Sequence, residues 1–350
     1  MQEGGESMRI VRFEQSHVEA AGRLLSARHA AERQNTAVLR QIFEEPEEAS
    51  RVIEAMLAQP GTGGVAAFRG AELAGYLIGR LETDKLRERH IWVAYAGAAI
   101  AEGESAELYR DMYAAAAAEW VKQGAFRHYA LAPAGDARAM EGWLRLGFGY
   151  EQVHGVQTIP AELEPVQLPD GVEIRLARRE DEAAIRKAAV YIMEHQAQEP
   201  VWGAAFAEDR SRFEDGYAGL IGDDAGYLWV AVQDGELLGF QAFFPAEAAE
   251  SDMMMPGSCI CLEVGATAPH ARGMGVGKAL TRHGLAHARQ EGYANCATDW
   301  RITNLESSRF WPKRGFIPYA YRLVRQVDPR ILWANGKEVQ HPAAAGPAAF

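Results

Sequence analysis

Cysteine is scarce in this chain. Cys259, Cys261 and Cys296 are its three cysteines, too few and too scattered among 350 residues for a disulfide framework, and none pairs with histidines at zinc spacing. A reducing compartment is expected, and no metal. Long apolar runs are missing too: nothing approaches the roughly 18 to 20 apolar residues that span a bilayer, and the opening MQEGGESM has no basic segment followed by an apolar one. The expectation is an unprocessed cytoplasmic protein without a membrane partner. Positive charge is in deficit as well. Lys and Arg number 36 against 48 Asp and Glu, a formal net charge of -12 that repels polyphosphate backbones, and no basic patch offsets it. Nucleic acid is therefore not expected as a partner. A small molecule is, on a monomer or homodimer.

What the chain does contain is an internal repeat. Alternating strand signatures begin at Arg9 and Glu173, and each runs into a charged, alanine-rich helix. Glycine-bearing hairpin turns follow at Gly70 and Gly235, then long amphipathic helices that stop at Gly124 and Gly292. Trp143-Leu-Arg-Leu-Gly-Phe and Trp311-Pro-Lys-Arg-Gly-Phe close a short helix in each half. Measured from Ile10 to Ile174, Gly70 to Gly235, Gly124 to Gly292 and Gly147 to Gly315, the offsets are 164, 165, 168 and 168. Four unlike landmarks in one order at nearly constant offset predict two copies of one α/β unit, each a mostly antiparallel mixed sheet with helices on both faces. The expected divisions are a first domain over 8–159, a proline-bearing linker over 160–171 (Pro160, Pro165, Pro169), a second domain over 172–330 and a flexible tail over 335–350.

Chemistry concentrates in the second copy. The apolar strand Ile260-Cys-Leu-Glu-Val-Gly-Ala-Thr leads to Arg272-Gly-Met-Gly-Val-Gly-Lys278 and then to a helix. A glycine-rich turn at a helix N-terminus presents successive backbone N–H groups and a partial positive charge to an anion, and Arg272 and Lys278 add formal charge. A tight strand-to-helix connection is the plainer reading of such a turn. A dinucleotide fingerprint would follow the first strand of its unit, and a P-loop would need Ser or Thr after the lysine, where Ala279 stands.

Arg272-x-x-Gly275-x-Gly277 after a strand resembles the pyrophosphate-binding signature of the GNAT superfamily, and Asn304-x-x-Ser307-x-x-Phe-Trp-x-x-x-Gly-Phe316 is similar to that family's later helix motif. The resemblance covers the whole second half, and the first half resembles a degenerate copy in tandem. It implies an acyl-CoA-dependent N-acyltransferase with acetyl-CoA as co-substrate and direct transfer to a small-molecule amine. Arg272, Gly273, Met274, Gly275, Val276, Gly277 and Lys278 would hold the pyrophosphate. Gly265, Ala266 and Thr267 would flank the pantetheine arm, with Asn304 and Ser307 beside it. Asn304 equally suits a helix N-cap.

Glu263 stands four residues before Thr267, where a carboxylate can take the amine proton directly or through water, unless it is a solvent-facing or salt-bridged strand residue. The family's usual tyrosine, four residues before the Gly-Phe glycine, is replaced by Trp311, which cannot deliver a proton to a thiolate. Tyr321, or Tyr319, is the candidate substitute, with core packing as the alternative role. His195, Gln196, Trp202 and Phe206 fall where this fold builds a lid over the acceptor, although a helix-face histidine beside aromatics more often has a structural role; Asp299 and Trp300 could line the same cleft, and Met253 to Met255 read as local packing. In the first copy Ser105 to Tyr109 replaces the glycine turn among Glu102, Glu104 and Glu107, so no CoA site is expected there. The competing reading is a non-catalytic acyl-CoA-binding sensor or interaction protein.

Overall fold

The computed structural model describes residues 7–164, 166–203, 206–223, 225–246 and 249–334. The tail expected at 335–350 lies outside them. In the first half the chain forms β1 (Met8–Arg12), α1 (Val18–Asn35), α2 (Pro46–Leu57), β2 (Thr62–Arg69), β3 (Glu72–Asp84), β4 (Glu88–Val93), β5 (Ala98–Ile100), α3 (Glu107–Lys122), β6 (Arg127–Pro133), α4 (Ala137–Arg145) and β7 (Gly149–Thr158). The second half repeats the order with β8 (Val172–Leu176), α5 (Glu182–Ala197), α6 (Arg210–Gly219), β9 (Tyr227–Gln233), β10 (Glu236–Pro245), β11 (Cys259–Thr267), α7 (Val276–Gln290), β12 (Asn295–Arg301), α8 (Leu305–Phe310), β13 (Ile317–Gln326) and α9 (Ile331–Ala334).

The compact units cut the chain differently from the sequence halves. One unit holds residues up to Glu151, together with Ala249–Met254 and the chain from Tyr319; the other holds Gln152–Ala248 and Met255–Pro318. Each therefore takes its last strand from the other half of the sequence. In the first unit β13 lies antiparallel on β6, with Tyr321 opposite Ala132 and Leu323 opposite Ala130. In the second, β7 lies antiparallel on β12, with His154 opposite Asp299 and Val156 opposite Ala297. The boundary expected at 159 falls just beyond this exchanged strand.

The first unit is built as β1-β2-β3-β4 antiparallel, β4 parallel to β6, then β13. Its core packs α3 and α4 on the sheet: Met112, Tyr113, Trp120 and Trp143 meet Leu77, Ile91 and Leu323. Past Val93 and Ala130 the parallel pair ends, and the chain re-enters as β5, which pairs with β3 alone. The buried Arg28 of α1 reaches this break: its Nη2 donates to the Tyr95 carbonyl at 2.7 Å and its Nη1 to that of Ala98 at 2.5 Å. The Tyr76 hydroxyl donates to the Ala96 carbonyl at 2.7 Å. Three carbonyls of the broken strand thus find partners inside the unit, as buried backbone acceptors must. At the N-terminus of α3, Glu104 pairs with Arg69 at 2.9 Å, which holds its carboxyl below the usual range, and Glu107 pairs with Arg110 at 2.6 Å and with Arg145 at 2.5 Å.

The second unit follows the same plan, β8-β9-β10-β11 antiparallel with β11 parallel to β12. Helix α5 covers a core of Ile185, Ala188, Leu228, Val230 and Phe240. Helix α7 buries Val276, Ala279, Leu280, Leu285 and Ala288, the three- and four-residue spacing of an amphipathic helix. Among the described residues no helix is long and apolar enough to cross a membrane.

The strand exchange has a direct consequence. Leu323 belongs to the second half of the sequence but is fully buried in the first unit's core. Leu323→Ala is expected to destabilise that unit by about 3 kcal/mol, with amide protection lost in β6. Val156→Ala is expected to cost protection in β12. Native-state hydrogen exchange checks both, and the reversed pattern would contradict the exchange.

Candidate active site

The site begins where two parallel strands part. β11 and β12 pair from Cys259 opposite Asn295 to Leu262 opposite Thr298, and there the ladder stops. The Thr298 hydroxyl donates to the Leu262 carbonyl at 2.8 Å and so closes the last rung. Beyond it, β11 stays on β10 through Thr267, while β12 stays on β7 through Arg301. A fork opens at the C-terminal ends of the strands, with one edge of Gly265–Thr267 turned toward it.

Glu263 is the first residue past the last rung, and it is also a β-bulge. Ala242 faces Val264 and Phe243 faces Leu262, which leaves Glu263 without an opposite residue on β10. A bulge frees a side chain from the sheet's alternation and re-aims it. Asp299 is the first residue past the last rung on β12, and it is exposed. Desolvation raises the carboxyl pKa of Glu263 above its ordinary value, and the like charge of Asp299 raises it further. That is the direction required of a carboxylate that must accept a proton near neutral pH.

From Thr267 the chain turns through Pro269–Ala271 into the glycine loop. Gly273 and Gly275 have φ of 81° and 87°, the left-handed region in which a side chain is strained, and Gly275 is the N-cap of α7. A Cβ on Gly273 would meet nothing within 4 Å, and one on Gly275 only Val166 at 3.9 Å, so a bulky group has room above the loop. The first bond into the helix runs from the Ala279 N–H to the Gly275 carbonyl at 2.9 Å. Among the described residues no acceptor meets the N–H groups of Gly275, Val276, Gly277 or Lys278, the four donors that a helix start leaves open. The loop is tied to the sheet: buried Gln241 of β10 donates from Nε2 to Thr281 Oγ1 at 2.9 Å, and that hydroxyl donates to the Gly277 carbonyl at 2.9 Å. An open set of N–H groups, room for bulk and two cations nearby are the features a diphosphate needs.

On the far side of the fork, Asn304 is the N-cap of α8. Its Oδ1 accepts the Ser307 N–H at 3.1 Å and lies 3.3 Å from His195 Nε2 at the end of α5. Glu306 stands 3.4 Å from Arg272 Nη1 and 3.9 Å from His195 Nε2, so its carboxylate joins the glycine loop to α5.

Comparison with known proteins points to one family for the second half. Residues 189–316 match the model of the Acetyltransferase (GNAT) family. Over those residues the second half is similar to the GNAT acetyltransferases. A mycothiol acetyltransferase from Thermomonospora curvata is 30% identical over 207 residues, a stretch covering 58% of this chain and 62% of that protein's length. In fold, the chain is similar to a GCN5-related N-acetyltransferase from Sphaerobacter thermophilus, with a TM-score of 0.57 at 14% identity over 91% of this chain and 95% of that one. A GCN5-related glucosamine N-acetyltransferase region of a fungal multi-domain β-N-acetylglucosaminidase aligns with a TM-score of 0.50 at 12% identity, covering 92% of this chain and 38% of that one.

The second unit gathers Glu263, Gly265, Ala266, Thr267, the Arg272–Lys278 loop, Asn304 and Ser307 on β11, α7 and α8. Tyr321 is placed elsewhere: with Tyr319 it belongs to the first unit, its ring 4.9 Å from that of Tyr150, and burial raises its pKa. Trp311 packs edge-on between Phe310 and Phe316, at 4.8 and 5.5 Å. Of the residues expected over the acceptor, His195 turns to Asn304, Trp300 is buried against Gly155, and Trp202 is exposed. Met253 is buried in the first unit, within the segment that Arg40 holds by the carbonyls of Ala249 and Asp252. Sequence reasoning missed Thr298, Gln241 and His154; the first two carry no motif, and His154 arrives on the exchanged strand.

The paired carboxylates give a checkable titration. Asp299→Asn removes the like charge and is expected to lower the pKa of Glu263, so the Glu263 carboxyl in the variant ionises at lower pH than in the wild type. NMR titration of the labelled side chain measures this, and an unchanged midpoint would mean that the two do not interact.

Proposed function

We propose that the second unit is an acyl-CoA-dependent N-acyltransferase that uses acetyl-CoA and transfers the acetyl group directly to a small-molecule amine. The observation that carries this is the fork between β11 and β12 set beside the open N–H groups of the glycine loop. In this reading the amides of Gly273 to Lys278 bind the diphosphate, with Arg272 and Lys278 supplying charge. Gly265 to Thr267 run along the pantetheine arm as one more strand would, and a backbone N–H near Ala266 or Thr267 polarises the thioester carbonyl. Glu263 takes the proton of the incoming ammonium, directly or through one water, and leaves a neutral amine to attack. Asp299 favours a cationic acceptor at the mouth of the fork and keeps Glu263 basic enough to act.

No group of the second unit is assigned as acid. The second proton, which the nitrogen sheds after attack, or solvent serves the thiolate, and the sequence-based role of Tyr321 is not used because that residue lies in the first unit. The packing of Trp311 at the usual tyrosine position favours a second reading, in which acyl-CoA binds without turnover. The first unit is read as a copy that does not bind CoA: Arg28 and Tyr76 satisfy its broken strand, and Glu104 and Glu107 stand at its α3 N-terminus. The free thiols Cys259, Cys261 and Cys296 agree with a reducing cytoplasm. The named relative makes the mycothiol system the first acceptor class to screen.

Calorimetry with acetyl-CoA tests the binding claim. A carboxylate early in a helix is compatible with folding, so Gly277→Glu should keep the fold and abolish micromolar binding. No binding by the wild type would remove the acyltransferase reading. Release of free thiol with an amine panel separates turnover from mere binding, and Glu263→Gln is expected to lower kcat about 100-fold while acetyl-CoA binding persists.

A further inference from the structure

Resting on that cofactor reading, we propose that His195 is a positioning residue: it fixes the amide of Asn304 so that Nδ2 is the atom offered to the pantetheine arm of acyl-CoA. An asparagine amide can present either end, and an unrestrained one serves a carbonyl and an N–H indifferently. Here the choice is made by the protein. Oδ1 accepts the Ser307 N–H at 3.1 Å and lies 3.3 Å from His195 Nε2, which adds a second donor in the tautomer that carries its proton there. A flipped amide would set Nδ2 against the Ser307 N–H, donor against donor, in a residue that is 8% exposed, and would reach His195 only in its other tautomer. The Nδ2 group has no partner among the described residues and remains to donate.

Asn304 follows β12 at the end where that strand has parted from β11, so the free donor lies at the same end of the sheet as the open edge of Gly265–Thr267. The ligand chemistry it selects is an acceptor, a carbonyl oxygen of the arm's amides. His195 sits in the last turn of α5, more than a hundred residues earlier in sequence, so the orientation of a cofactor contact depends on a helix that carries no part of the glycine loop. Glu306, 3.9 Å from the same Nε2, keeps the imidazole near α8 and holds Arg272 at its other oxygen.

The experiment is a double-mutant cycle on acetyl-CoA affinity. His195→Ala is expected to raise the Kd about fivefold, the effect of one lost hydrogen bond, and His195→Gln, which keeps an N–H donor, to restore it to within about twofold. Asn304→Ser keeps a capping oxygen but has no amide donor, and in that background His195→Ala should have no further effect. A fivefold loss that persists in Asn304→Ser, or no loss in the wild-type background, overturns the proposal while leaving the cofactor reading intact. Failure of the wild type itself to bind acetyl-CoA removes both.

Discussion

Everything in the second unit follows from one broken ladder. Two parallel strands that hydrogen-bond only as far as Leu262 and Thr298 leave backbone groups of Gly265–Thr267 on an open edge, and such groups require partners. The Thr298 hydroxyl finishes the last rung, the bulge at Glu263 takes up the change of direction on the β10 side, and β11 then delivers the chain into the glycine loop. Glu263, the open edge of Gly265–Thr267 and the glycine loop are thus successive features of one strand and its exit. Spacing along β11 sets their spacing in the site.

The first unit meets the same constraint and answers it differently. Its β4 and β6 also part, after Val93 and Ala130, but the carbonyls freed there are taken by Arg28 and Tyr76 from within. A buried guanidinium bonded to two carbonyls is costly to displace, because withdrawal would orphan both acceptors and leave the charge without partners. At the helix start that follows, carboxylates paired with Arg69, Arg110 and Arg145 stand where the second unit has open glycines. Two copies of one plan therefore satisfy the same backbone deficit in two ways.

Much of this was legible in the sequence, and the exceptions have physical reasons. The repeat, the element order and the glycine turn at a helix N-terminus could be read because periodicity and glycine placement are local properties. The partner of a strand is not local. β7 and β13 both follow a Gly-Phe turn and carry similar patterns, so nothing in either shows which sheet it joins, and the exchange that brings His154 beside Asp299 and removes Tyr321 to the first unit was invisible. The N-cap role of Asn304 was foreseen from its residue type, whereas its contact with His195 links positions 109 apart and leaves no pattern to read. The bulge at Glu263 likewise depends on the register with β10 rather than on β11 alone.

The most direct test of this account is amide hydrogen exchange across the whole chain with and without saturating acetyl-CoA. The account predicts new protection at Gly273 to Lys278 and along Glu263 to Thr267, with Ala98 to Leu108 of the first unit unchanged. Protection confined to the first unit, or none in the glycine loop, would contradict it.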